Sequence, residues 1–396
     1  MEPFLPSTQE PSLLTIGIDA TNLRLGGGIT HLSELLLAAD PKRDGFIRIV
    51  VWGGAKTLSQ LPQRPWLSCV DCDFWQANLF LRVFMQVFLL SRLAKKAGCD
   101  LLFIPGGSYA GSFHPVITMS QSVLPFDWLA IKSNGWSFRA LKFMLLRWVQ
   151  ASSFRRSDGV IFLTQFAKKM VLAQMGSLSV PTAVIAHGMA SQFYGVPKVQ
   201  QQIAAYSSKH PFVLLYVSII DTYKHQVEVV KAAALLRSLG YPVHLRLVGP
   251  AHAPSLLQLQ KVMLECDPQK AWIDYIGPVS HQQLSSEYAK ADLGIVASSC
   301  ESFGMIGLEK MAAGLPLACA NQGAMMEVLQ EAALFFDPKN PTEIAQVIQR
   351  YIDSPELRSQ KQSAGVERAR EFIWETCASQ TFAFMHTVYE RARSKT

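Results

Sequence analysis

The segment Glu301-Ser302-Phe303-Gly304-Met305-Ile306-Gly307-Leu308-Glu309 sets two carboxylates eight positions apart around a glycine. A strand-like run, DLGIVAS, precedes it and a helical run, MIGLEKMAAG, follows, with Gly314 and Pro316 marking the helix end. Glu301 therefore falls in a loop that enters a helix, and Glu309 falls inside that helix. Glycine at 304 lets backbone approach a ligand closely, and the unpaired N–H groups of a first helical turn suit a diphosphate. Carboxylates on either side could then hold hydroxyl groups. A helix-capping Glu301 and a solvent-facing Glu309 would produce the same spacing.

Chemistry of this kind needs a frame, and in open α/β sheets ligands gather beyond the carboxyl ends of the strands. From Leu13 the chain alternates LLTIGIDA, a Gly26-Gly27-Gly28 turn, the helical ITHLSELLLAA and FIRIVVWGG. Further short apolar runs at 101–107, 116–120, 159–164 and 182–188 end in glycine, proline or polar residues, as strands buried on both faces do. The pattern lapses over 189–211, a polar stretch with Gly195, Pro197 and Pro211. A second series follows, with strands expected at 212–219, 243–250, 272–278, 292–298 and 315–320. Two Rossmann-like domains, 1–190 and 191–375, are predicted, with a helix over 376–396 packing back on the first.

Size and composition agree. A chain of 396 residues exceeds one ordinary core, and 49% apolar with 17% charged residues excludes a disordered or collagenous polymer. The net charge of +7 is all in the first half, where 18 basic residues face 11 acidic ones; the rest has 19 of each. Seven scattered cysteines read as thiols of a reducing compartment. The opening residues show neither the basic start nor the apolar run of a signal peptide, which points to a cytoplasmic chain. No run of residues qualifies as a membrane span.

The segment ESFGMIGLEKMAAGLP resembles the signature of retaining glycosyltransferase family 4, in which two glutamates separated by seven residues precede a Met-Ala-x-Gly-x-Pro turn. DYIGPVSHQQLSSEYAKADLGIVASS, EVLQEAALFFDPKNPTEIAQVI and FIWETCA resemble the same family in order and spacing, so the likeness runs over about 212–380. It implies a GT-B fold, two Rossmann-like domains facing across a crevice, with a nucleotide sugar in the second and an acceptor in the first. By this resemblance Glu301 lies near the donor sugar and Glu309 near the ribose. Phe303, Gly304 and Met305 form the loop meeting sugar and phosphate, Lys224 grips the diphosphate, and Gly277 and Val279 see the base. A fixed lysine there would stabilise charge growing on the leaving oxygen; a solvent-facing Lys224 is the plain alternative. Ser218 stands where many members have arginine, which removes one cation from the diphosphate site.

In the first domain, Gly27, Gly28 and Thr30 resemble the family's glycine loop near phosphate and acceptor. The register fits neither a dinucleotide fingerprint nor a P-loop. Gln121 occupies the place of a histidine found in many members, and an amide cannot serve as a base near neutral pH. Asp71-Cys72-Asp73 is formally a DxD, read here as surface acids in a loop. Cys69 and Cys72 form a lone CxxC, too little for zinc. His187-Gly188, closing the last strand of the first domain, fits the crossover loop, in a hinge or packing role and not a catalytic one. No metal or cofactor is expected.

The resemblance thus implies a metal-independent retaining transferase using a UDP- or GDP-sugar on a glycan or lipid-linked acceptor, in surface polysaccharide or glycolipid assembly. The family works by front-face attack, with donor phosphate taking the acceptor's proton. Ser218 and Gln121 leave a second reading, a non-catalytic scaffold or nucleotide-sugar-binding protein. A nucleic-acid binder would rest on charge alone, with no reader motif. Residues 128–156 interleave Trp128, Trp136, Phe138, Phe143 and Trp148 with six lysines and arginines, and 79–96 is similar. Such helices favour anionic bilayer surfaces, although buried helices with solvated lysines look alike. Two readings stay open for this cytoplasmic chain: a first domain peripheral at the inner face of the membrane, and ordinary buried helices with solvated cations.

Overall fold

A computed structural model describes residues 13–23, 26–72, 79–132 and 138–394 of the chain. Asp73 and Trp136 lie outside these residues. Apolar runs too short for helices and rich in β-branched residues form two wholly parallel sheets. The first contains β1 (Leu14–Asp19), β2 (Phe46–Gly53), β3 (Leu67–Asp71), β4 (Leu101–Ile104), β5 (Val116–Ser120), β6 (Gly159–Phe162) and β7 (Thr182–Val184), in the order 3-2-1-4-5-6-7. The second contains β8 (Phe212–Val217), β9 (Val243–Val248), β10 (Ile273–Gly277), β11 (Leu293–Val296), β12 (Leu317–Ala320) and β13 (Ala333–Phe336), in the order 10-9-8-11-12-13. In both, the order reverses beside the first strand of the series, which opens a crevice at the strand ends.

Two edge strands were not expected. β3 is half-exposed and carries little of the buried-strand pattern, and β13 is a four-residue continuation of a helical run. Asp71 accordingly ends a strand and not a loop. β7 ends at Val184, so His187 lies three residues beyond it in the extended connection.

Helices cover both faces of each sheet, and those around the site are numbered here. On the first sheet lie α1 (Gly27–Ala38) and α2, a continuous rod made of Leu79–Met85, the π-helical turn Gln86–Leu90 and Ser91–Lys96. With them are α3 (Phe138–Arg156) and α4 (Gln165–Met175). The second lobe contributes α5 (His281–Lys290) and α6 (Met305–Ala312). The last helix, α7 (Trp374–Arg393), returns to the first lobe, where Phe382 stacks on Phe46 with ring centres 4.9 Å apart and His386 Nε2 lies 3.2 Å from the Asp44 carbonyl oxygen. Gly188 is required at that crossing, since a Cβ there would lie 2.3 Å from the Trp374 nitrogen. Among the described residues no helix is long and apolar enough to cross a membrane.

Candidate active site

Lys224 ends a short 3₁₀ turn, Thr222–Lys224, just after β8. Asp221 starts that turn by accepting the Thr222 N–H at 2.8 Å, and Tyr216 on β8 donates its hydroxyl to the Lys224 carbonyl at 2.6 Å. Held at both ends, the buried Lys224 side chain forms an ion pair with Glu301 and passes 5.0 Å from the Tyr223 ring centre. Burial pulls the Lys224 amine down, but the Glu301 carboxylate more than offsets this, so its pKa lies above the ordinary lysine value. Lys224 is thus neither exposed nor idle, and Glu301 caps no helix.

The Glu301 loop is also pinned from the first lobe. Ser302 donates its hydroxyl to the Gln121 carbonyl at 2.6 Å, and Thr164 donates to the Ser302 carbonyl at 2.9 Å. Glu327 of the second lobe accepts the Gln165 and Phe166 N–H groups at 2.8 and 2.7 Å, at the start of α4. Gly304 precedes α6 at φ 89°, and a Cβ there would fall 2.2 Å from Met325 Sδ, so both its left-handed backbone and its bare flank are used. Phe303 is buried, and Met305 is half-buried at the first position of α6.

Glu309 lies one turn into α6 and is buried; Tyr288 of α5 donates its hydroxyl to Glu309 Oε2 at 2.7 Å. Burial first, and Glu309 second, push the Tyr288 phenol well above its ordinary range, which keeps it a donor. Beside it, Lys310 is fully buried. Its chain lies across Gly294 of β11, and its ammonium end is 5.9 Å from the Tyr288 ring centre. Among the described residues Lys310 Nζ has no hydrogen-bond partner, and burial lowers its pKa to about 7 against the partial support of Glu309.

In the first lobe Gly28 and Gln121 meet: a Cβ on Gly28 would lie 2.7 Å from Gln121 Oε1. Gly27 faces open space and Thr30 is half-buried in the first turn of α1. His31, next in that helix, sits with its Nδ1 2.8 Å from His187 Nδ1, and His187 packs edge-on against Phe303 at 5.0 Å. Burial lowers both imidazoles, His31 to about 4, and His187 feels His31 in addition. His187 therefore packs between lobes, in line with the hinge or packing role expected for it.

At the other end of the crevice, Gly277 closes β10 at φ 79° and accepts the Gly249 N–H at 2.8 Å. Gly249 itself runs so close to Ser218 that a Cβ would lie 2.1 Å from the Ser218 carbonyl oxygen. The buried Ser218 hydroxyl donates locally, to the Ile219 carbonyl at 3.2 Å. Val279 is half-buried against the main apolar cluster. The fold thus brings Lys224 to Glu301, Gly28 to Gln121, and Gln121 to the Glu301 loop, while Glu309 is held apart on Tyr288. Gly249, Tyr288, Lys310 and the Arg139–Asp221 pair were not singled out from the sequence. Gly249 had a local signal, a glycine closing a buried strand before proline. Arg139, on α3, holds Asp221 through two hydrogen bonds of 2.9 and 2.5 Å and so clasps the first lobe to the Lys224 loop.

Two parallel sheets joined in this way, with the polar loops of both meeting at one crevice, form a GT-B-type glycosyltransferase fold. The chain is similar over 97% of its length to all of sucrose-phosphate synthase from Thermosynechococcus elongatus, with a TM-score of 0.72 at 18% identity. It is similar over 96% of its length to all of Anabaena HepE, whose structure is in complex with UDP-glucose, with a TM-score of 0.66 at 17% identity. Residues 199–368 match the family described as Glycosyl transferases group 1. Among curated relatives, O-antigen chain mannosyltransferase B of Escherichia coli is 32% identical over 119 residues, 30% of this chain and 31% of the relative. A D-inositol 3-phosphate glycosyltransferase of Pseudarthrobacter chlorophenolicus is 27% identical over 184 residues, 46% of this chain and 44% of that protein. The chain thus spans less than half the length of these relatives.

Proposed function

We propose that the protein is a retaining glycosyltransferase that moves a sugar from a nucleotide sugar to a glycan or lipid-linked acceptor. The observation that carries this reading is the buried Lys224–Glu301 pair at the strand ends of the second sheet, facing the Gly28–Gln121 loops of the first. Transfer leaves a nucleoside diphosphate, and a cation already fixed where that charge grows needs no reorganisation when the bond breaks. Lys224 is assigned that role, with the N–H groups that follow Gly304 adding a second positive end. Glu301 orients Lys224 and faces the sugar; Glu309 takes the ribose hydroxyls, with Tyr288 setting its direction. Gly277 and Val279 border the base, and Gln121, with Gly27, Gly28 and Thr30, borders the acceptor side.

In this reading the domain boundaries fall near residues 190 and 375, the first domain binding acceptor and the second donor. No side chain is assigned as a nucleophile, because the resemblance implies front-face attack with donor phosphate accepting the acceptor's proton. The solved UDP-glucose complex of a protein sharing the fold supports a nucleotide sugar as donor, and the mannosyltransferase likeness supports a polysaccharide or glycolipid setting. The test is thermal shift against UDP, GDP and their sugar conjugates, since a ligand selective for the folded state raises its melting temperature by mass action. Stabilisation by one nucleotide and its sugar, lost in Lys224→Ala and Glu301→Ala, is expected. Absence of any shift would count against a donor site, and a shift without transfer to any acceptor would favour the scaffold reading.

A further inference from the structure

Two helices of the first lobe carry an apolar, basic face that is left exposed among the described residues. Along α3, Phe138, Leu141, Leu145 and Trp148 recur at helical spacing, and all are exposed, Phe138 by 83% and Trp148 by 70%. Helix α2 adds Phe84 and Phe88, each 54% exposed. These two helices lie on the same face of the first sheet. The inner side of α2 packs on Leu102, Ile104 and Val116, and that of α3 packs on Val160 and Phe162. Strand register places all five of these on one side: Leu102 pairs with Val116, Ile104 with Thr118, Thr118 with Val160 and Ser120 with Phe162. Phe88, Arg92 and Lys95 of α2 and Arg156 of α3 line one shared hollow of about 480 Å³.

A contiguous set of large apolar side chains left in water marks a surface that a partner covers. Charge indicates which partner. Leu79–Lys96 and Phe138–Arg156 together hold nine lysines and arginines and no aspartate or glutamate. Arg92, Lys95, Lys96 and Lys142 among them are exposed. A second copy of the chain on this face would set like charges against one another, whereas anionic lipid offers apolar depth and negative headgroups together. The position fits as well, because Arg139, next to Phe138, is already bonded to Asp221 in the loop that carries Lys224. The face therefore borders the mouth of the crevice.

We propose that α2 and α3 dock the first lobe on an anionic lipid bilayer, with Phe138, Leu141, Leu145 and Trp148 entering the acyl boundary and the basic residues meeting headgroups. Docking presents the crevice to an acceptor held in the membrane, which rests on the transferase reading above; the surface itself does not. Co-sedimentation of the full chain with vesicles of phosphatidylcholine alone, or with roughly 30% phosphatidylglycerol, tests it directly. Binding to the anionic vesicles is expected at about 0.1 M salt, falling at least tenfold at about 0.5 M. A tenfold or greater loss is likewise expected in Phe138→Asp/Trp148→Asp and in Lys95→Glu/Lys96→Glu/Lys142→Glu, with melting temperature and nucleotide-induced shift unchanged. No binding to anionic vesicles, or binding that these substitutions leave intact, would overturn the proposal. So would a dimer in solution that Phe138→Asp/Trp148→Asp converts to monomer. Nucleotide binding is measured without lipid, so failure of the donor reading and failure of the docking reading are separable.

Discussion

Replacing Lys310 with methionine removes a buried ammonium and keeps nearly the same volume. Lys310 is fully buried on Gly294 without a hydrogen-bond partner among the described residues, and its pKa falls to about 7 from the ordinary 10.5. At roughly 1.4 kcal/mol per pKa unit, suppressing the charge costs the folded state up to about 5 kcal/mol near neutral pH. Repacking a thioether into the same groove costs under about 1.5 kcal/mol, which leaves a net gain of about 3 kcal/mol for Lys310→Met. For a domain of this size that raises the melting temperature by about 6 to 12 °C. The pH dependence has a definite sign. Between about pH 7 and 10.5 the unfolded chain binds the proton that the folded chain has released, so wild-type stability rises with pH through that window. The methionine variant lacks this contribution. Thermal unfolding followed by circular dichroism from pH 6 to 10 should show a stabilised variant at pH 7 and two curves converging toward pH 10. A variant that melts lower at pH 7, or a wild type with the same pH slope as the variant, would refute the assignment of an uncompensated buried amine.

Lys224→Ala, which removes the cation placed for the leaving diphosphate, should lower transfer about 100-fold or more at saturating donor, measured by release of nucleoside diphosphate. Tyr288→Phe leaves the buried Glu309 carboxylate without its 2.7 Å phenolic donor and should weaken nucleotide binding several-fold in calorimetry; unchanged affinity would remove Glu309 from the ribose. Gly304→Ala forces a Cβ into Met325 at φ 89° and should cost about 1–3 kcal/mol in denaturant unfolding. The His31–His187 pair is held neutral by burial, with His31 at about 4. Stability should therefore fall as pH drops from 6.5 toward 4, where the unfolded state takes up protons first, and His187→Gln should shallow that fall in thermal melts.

Much of the frame could be read directly from residues, because strands buried on both faces must be apolar throughout and their loops must carry glycine or polar residues. β8 and β12 show that pattern over their whole length, and β1 and β5 show it apart from Thr15, Asp19, Thr118 and Ser120. β3 escaped because an edge strand facing solvent on one side need not be apolar. β13 escaped because ALFF follows a helical run without punctuation. The glutamate pair was legible because both carboxylates and the glycine between them lie within nine consecutive residues. The long-range contacts around the site were not: Tyr288 is 21 positions from Glu309, and Arg139, which grips the Lys224 loop, is 82 from Asp221.

Local order thus specified which residues could do chemistry here: a loop carboxylate, a glycine that opens a helix, a second carboxylate one turn in. Whether those groups would be charged, paired or shielded depended on neighbours that only folding supplies. Lys224 stays cationic because Glu301 reaches it inside a buried site, while burial lowers the pKa of Lys310 to about 7 for want of such a partner. Both are lysines in the same half of the chain. Desolvation and pairing are properties of the packed environment, and no spacing along the chain encodes them.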